Sequence, residues 1–113
     1  MLRSVFNAAR NSLAGVAAAA RSEGSFQVEL AACLVLLPLG LWLGGTGVER
    51  ALLVSSALIV LCAELLNTAL EAAVDRISLE IHPLARRAKD IGSAAVMLAL
   101  VNAGVVWLLV LFA

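Results

Sequence analysis

Charge is scarce in this sequence. Only 14% of its 113 residues are Asp, Glu, Lys or Arg, against 63% hydrophobic, and mean hydropathy is +1.03. A soluble domain of this size cannot hide so much apolar surface, so the composition points to a membrane protein. Cysteine is nearly absent. Cys33 and Cys62 both fall inside apolar runs, where a thiol behaves as a small hydrophobe, which argues against a disulfide framework or metal site. No GxxxxGK[ST] segment occurs, so any nucleotide site is not of the P-loop type, and the glycine-loop, HRD and DFG elements of protein kinases are missing too. There is no internal repeat and no low-complexity linker. "LAAC" at 30–33 looks like a lipoprotein cleavage motif, but it precedes its apolar region instead of following it. Glu23 and Glu29 also spoil the preceding segment as a signal peptide.

What is present is three runs almost free of charge, at 28–45, 51–66 and 91–113, the first interrupted only by Glu29. Each approaches the roughly 17 to 25 residues of a membrane span, the second once it is extended through a polar stripe. The fold class expected is an all-α membrane protein: an amphipathic surface helix over 1–24, then spans over 28–45, 48–77 and 88–113. In the first segment Leu2, Val5, Phe6, Ala9, Leu13, Val16, Ala17 and Ala20 recur at helical spacing, with Arg3, Asn7, Arg10 and Arg21 elsewhere around the helix. Gly24 and Ser25 permit a bend into the first span, and Trp42 and Trp107 suit interfacial anchoring.

Arg3, Arg10 and Arg21 precede the first span, and Arg76, Arg86, Arg87 and Lys89 lie between the second and third, while the 44–50 loop holds only Arg50. The positive-inside rule then places the N-terminus and the 76–90 connection in the cytoplasm. Pro83 in that connection ends any helix that enters it and restarts the next. Asn102, inside the third span, suits a hydrogen bond to a neighbouring helix.

The end of the second span reads "AELLNTALEAAVDR", at 63–76. Glu64, Asn67, Glu71 and Asp75 are spaced by three, four and four, which sets them within roughly 80 degrees on one helical face. The stripe is about 16 Å long, from the cytoplasmic surface toward the hydrocarbon. Acids at that depth cost several kcal/mol each unless paired, bound to a cation or neutralised, so they are functional candidates. Pairing with Arg76, Arg86 and Arg87 is an adequate alternative for Asp75. It is a poor one for Glu64, which has no basic residue within several turns of its own helix. A poorly solvated carboxylate suits the general base that an alcohol needs. Downstream, "RRAKDIGSAAV" at 86–96 sets a Lys-Asp pair at the mouth of the third span. With Glu23 and Glu71 available for magnesium and Lys89 for phosphate charge, the set suits magnesium plus nucleotide.

These two segments resemble the hallmark motifs of the bacterial integral-membrane diacylglycerol kinase family, E-x-x-N-[ST]-A-[IL]-E-x-x-x-D followed by A-K-D. "RNSLAG" and "RSEGSFQVEL" are similar to the family's N-terminal helix and its turn into the first span, so the likeness covers essentially the whole chain. The resemblance implies a homotrimeric bundle in the bacterial cytoplasmic (inner) membrane with active sites shared between subunits. By position it implies Glu64 as catalytic base, Glu23 and Glu71 as magnesium ligands, and an ATP site including Glu23, Glu71, Asp75, Lys89 and Asp90. Glu80 and His82 match nucleotide-contacting positions, Asn11 a nucleotide-side position on the surface helix. Glu29, Arg50, Asn67 and Ser93 match positions tied to the lipid substrate, site support or assembly. The partners implied are ATP, a membrane lipid and the bilayer itself, with no nucleic acid. The activity implied is phosphorylation of diacylglycerol, with undecaprenol, a polyprenyl alcohol used by other family members, as the alternative substrate. A small transporter built on an intramembrane glutamate is the rival from another class, and it would leave the Lys-Asp pair and the basic surface helix without a role.

Overall fold

The computed structural model describes every residue, 1–113, and contains four α-helices and no strand: α1 (Leu2–Ser22), α2 (Gly24–Leu43), α3 (Gly47–Ile77) and α4 (Pro83–Phe112). The last three are each long and apolar enough to cross a membrane. α3 is the middle element and packs against both α2 and α4. The chain is an all-α membrane protein, and most of its apolar surface faces outward: only 12 of 113 residues are buried, while Leu34, Leu66, Leu98 and Leu108 are all exposed. Burial against water does not hold such a molecule together. Close approach of small residues and a few interhelical hydrogen bonds do.

Both kinds of contact cluster between α2, α3 and α4. A Cβ on Gly40 would stand 3.1 Å from the Leu53 Cβ, so the missing side chain is what lets α2 and α3 come together. Nearby, the Cys33 thiol donates to the Ala57 carbonyl at 3.4 Å and sets the register of the two helices. Trp107 corrects the expectation that it anchors the protein at the membrane interface. Its indole points inward, and Nε1 donates to Ser56 Oγ at 3.1 Å and to the Leu53 carbonyl at 3.2 Å. An indole N–H in hydrocarbon must find an acceptor, and α3 supplies two. Trp42, by contrast, is exposed. Asn102 also lies exposed on α4 and reaches no neighbouring helix within the chain.

The connections are short and tightly capped. α1 and α2 meet at a single extended residue, Glu23, instead of bending at Gly24 and Ser25, both of which are helical. Buried Phe26 and Ala19 pin this corner, and the Gln27 side chain donates to the Ala20 carbonyl across it. Residues 1–15 are exposed throughout. Between α2 and α3, Thr46 Oγ1 accepts from the Glu49 N–H at 3.1 Å, while the Glu49 carboxylate accepts from the Gly45 N–H at 3.4 Å. The first bond is the N-cap half of a capping box, and the second shifts its return bond one residue upstream, to Gly45. Arg50 Nε donates to the Gly44 carbonyl at 3.1 Å, and Gly44 has no room for a Cβ against that side chain. Between α3 and α4 the connection is only 78–82. His82 Nδ1 accepts from the Leu84 N–H at 3.1 Å, and Pro83 opens the helix. Arg86, Arg87, Lys89 and Asp90 therefore lie on α4 rather than in a loop.

At 1.5 Å per residue α3 and α4 are each about 45 Å long, well beyond the roughly 30 Å of hydrocarbon, so both are long enough to extend out of it. Trp107→Phe should keep the ring and lose the donor. It should destabilise the helix packing by about 1 kcal/mol, read as a lower unfolding midpoint in detergent. An unchanged midpoint would show that the indole bond does not hold α4 to α3.

Candidate active site

The polar stripe of α3 is graded by burial. Glu64, at its deep end, is 6% exposed. Asn67 and Glu71 are half-buried, and Asp75 is exposed. Two of the members are joined, Asn67 Nδ2 donating to Glu71 Oε1 at 3.3 Å, while Asp75 Oδ1 accepts from Lys89 Nζ of α4 at 2.7 Å. The Asp75–Lys89 ion pair is roughly half-exposed and contributes little to stability. Its effect is to aim one ammonium at the wet end of the stripe.

Asn67 is held from both sides. Its Oδ1 is buried without a hydrogen-bond partner and lies where a Gly92 Cβ would be, with Leu70 close behind. Only a glycine lets α4 approach the carboxamide this closely. Glu29 reaches the stripe from α2, its carboxyl against that of Glu64.

Beside the α3–α4 connection, Asp75, Glu80, His82, Lys89 and Asp90 line one cavity of about 260 Å³ together with Ser78 and Arg86. Five of the residues named from the sequence are thus brought together. Others are not. Asn11 is exposed on α1, and Ser93 is exposed on α4. Arg50 lies at the opposite end of α3, about 21 Å from Glu64 along the axis, where it caps Gly44. Glu23 is half-buried at the α1–α2 corner. No group of three or more His, Cys, Asp or Glu side chains converges within one chain.

Sequence reasoning had counted Arg86 toward topology and as a pairing partner for Asp75, not toward the nucleotide site. It is three residues before Lys89 and four before Asp90, so all three share a helical face once α4 is known to begin at Pro83. Glu29 had been tied to the lipid or to assembly, with no hint of Glu64. That contact crosses between helices, and nothing local in the sequence signals it.

The fold and the graded site define a helical membrane protein with a recess lined by both acidic and basic side chains where α3 meets α4. Comparison with known proteins takes this further. The model of the family "Prokaryotic diacylglycerol kinase" matches residues 10–111. A diacylglycerol kinase of Haemophilus influenzae is 44% identical over 98% of this chain and 94% of its own length. That of Pseudomonas aeruginosa is 46% identical over 97% and 89%, and that of Helicobacter pylori 32% identical over 91% and 80%. The chain belongs to the prokaryotic diacylglycerol kinase family. It is a membrane kinase, an enzyme that transfers a phosphoryl group to an alcohol.

Gly92→Leu should drive α4 from the Asn67 carboxamide and cost about 1–3 kcal/mol of stability, as overpacking of a close contact does. Thermal unfolding in detergent checks this, and an unmoved midpoint would mean that Asn67 does not sit against Gly92.

Proposed function

We propose that this chain is an ATP- and magnesium-dependent lipid kinase that moves the γ-phosphoryl group of ATP to the primary hydroxyl of diacylglycerol, giving phosphatidate. The observation that carries this reading is the gradient along α3, from buried Glu64 to the Asp75–Lys89 pair beside the cytoplasmic cavity. A lipid hydroxyl arrives from the bilayer and ATP from water. An enzyme joining them needs a dry acceptor for the hydroxyl proton next to a wet, partly cationic recess for the triphosphate. The relatives' shared name, diacylglycerol kinase, favours diacylglycerol over undecaprenol.

Each group then has a chemical task. The Glu64 carboxylate accepts the hydroxyl proton as the oxygen attacks the γ-phosphorus in line, and ADP departs with the electrons of the broken P–O bond. Asn67 orients Glu71 through its amide donor. Lys89 exchanges its Asp75 partner for phosphate oxygens, with Arg86 beside it in the cavity. Asp75, Glu80, His82 and Asp90 shape the nucleotide end, and Asn11 of α1 acts on the nucleotide side. Ser93, Glu29 and Arg50 act on the lipid side or in assembly.

Glu23 and Glu71 would hold magnesium. Hard carboxylate oxygens suit this ion, which takes one or two from protein and the rest from phosphate and water. When bound, it screens the charge of the phosphate oxygens. The dispersed acids and largely exposed apolar helix faces support a homotrimer with sites completed between copies. The Arg and Lys distribution supports a cytoplasmic N-terminus and α3–α4 connection in the bacterial inner membrane.

The test is a radiolabelled ATP assay in mixed micelles that offers diacylglycerol and undecaprenol side by side. Label should enter diacylglycerol and disappear on chelation of magnesium; label in neither lipid would overturn the kinase reading. Glu64→Gln should lower turnover by about 10²–10⁴-fold with ATP affinity intact, and retained turnover would remove Glu64 as the base. Glu71→Gln should weaken magnesium-dependent nucleotide binding, measured by metal titration. An unaltered titration would count against the ligand role.

A further inference from the structure

Glu29 is the one charged residue on an apolar crevice of about 350 Å³ between α2, α3 and α4, whose far end is formed by Gly104 and Trp107. Its Oε2 is buried with no hydrogen-bond partner. An orphaned acceptor in such a place is costly, and native proteins keep few of them without a reason. The register of α2 on α3 shows what it faces. The Cys33–Ala57 contact joins the two helices. Glu29 is one turn toward the cytoplasm from Cys33, and Glu64 two turns toward it from Ala57, which brings the two carboxyl groups together. Cys33 on α2 is the other titratable neighbour, and α4 offers only apolar side chains and Trp107 to the crevice. No Lys or Arg lines it.

Two carboxylates in contact in hydrocarbon, with no cation, repel strongly unless a proton lies between them. We infer that Glu29 and Glu64 form a carboxyl–carboxylate pair sharing one proton across the α2–α3 interface, with Glu29 the positioning residue that holds the Glu64 base. This rests on the kinase reading for its catalytic consequence, but not for the pair itself. The pair carries one negative charge instead of two, which lowers the cost of keeping a base in the bilayer. During transfer the proton count is simple. The lipid O–H bond breaks, its proton joins the pair, and the pair passes from one proton to two before returning the extra one to water. The bridging proton also fixes the direction in which Glu64 presents its free oxygen, and orientation of that kind affects turnover more than binding.

The experiment uses the purified full-length chain in lipid. Infrared difference spectra of the wild type should show the C=O stretch of a protonated carboxyl at neutral pH, and this band should vanish in both Glu29→Gln and Glu64→Gln. Its absence from the wild type, or its persistence in either variant, would overturn the pair. In the mixed-micelle assay, Glu29→Gln, whose amide still donates to Glu64, should lower kcat about tenfold, and Glu29→Leu about a hundredfold, each with the KM for ATP unchanged. Wild-type kcat in Glu29→Leu, or a rise in the KM for ATP equal to the loss of kcat, would remove the positioning role. If Glu29→Leu fails to fold, Glu29→Gln decides. A wild type that labels no lipid sinks the kinase reading alone, since the infrared band is read without turnover.

Discussion

Hydrocarbon does not solvate charge, and this one constraint orders the whole molecule. The stretches that cross the bilayer are nearly free of ionisable groups, so the charges that remain collect at the ends of helices and along one stripe. Each internal polar group must then find a partner inside the protein. Trp107 finds Ser56 and the Leu53 carbonyl, Asn67 finds Glu71, and Asp75 finds Lys89. The two buried oxygens left without a donor belong to Glu29 and Asn67, both beside the deep end of the stripe. Structural polarity is satisfied, and the unsatisfied remainder marks the place where chemistry is proposed.

The parts of the structure that were legible in the sequence are those governed by local periodicity and by solvent. Apolar run length gave the three spans, and spacing of three and four gave the single face of Glu64, Asn67, Glu71 and Asp75. Hydropathy reports where the bilayer lies and not where a helix ends. For that reason the third span was bounded at 88, near its apolar core, whereas the proline signal, which restarts a helix at Pro83, marks where the structure begins α4 behind a His82 cap. Trp107 misled for a related reason. Aromatics of its kind commonly sit at the membrane boundary, and only the facing Ser56 on another helix shows that this one turns inward. The Glu29–Glu64 contact and the Asn67–Gly92 fit depend on how two helices register against each other. No pattern within one helix contains that information.

The close approaches also explain why so little buried area suffices. Gly40 and Gly92 each remove a side chain where α3 meets a neighbour, one near the Trp107 cluster and one near the candidate site. α3 is thus clasped from α2 at one level and from α4 at another. The stripe it carries cannot rotate without breaking one of these fits. The proposed base and the proposed phosphate-binding recess, two to three turns apart, would need this kind of rigidity, because a small rotation about α3 moves Glu64 and Asp75 in step.

The corner at Glu23 has a mechanical consequence. A loop of several residues would let the surface helix rock on the membrane while the spans stood still. With one extended residue between two helices, there is no such slack. Any change in the tilt of α1 must be absorbed by the backbone torsions of Glu23, and its carboxylate swings with them. The surface helix is therefore a crank arm whose axle is the acid itself, so the tilt of α1 and the direction of the Glu23 carboxylate are set by the same pair of torsions.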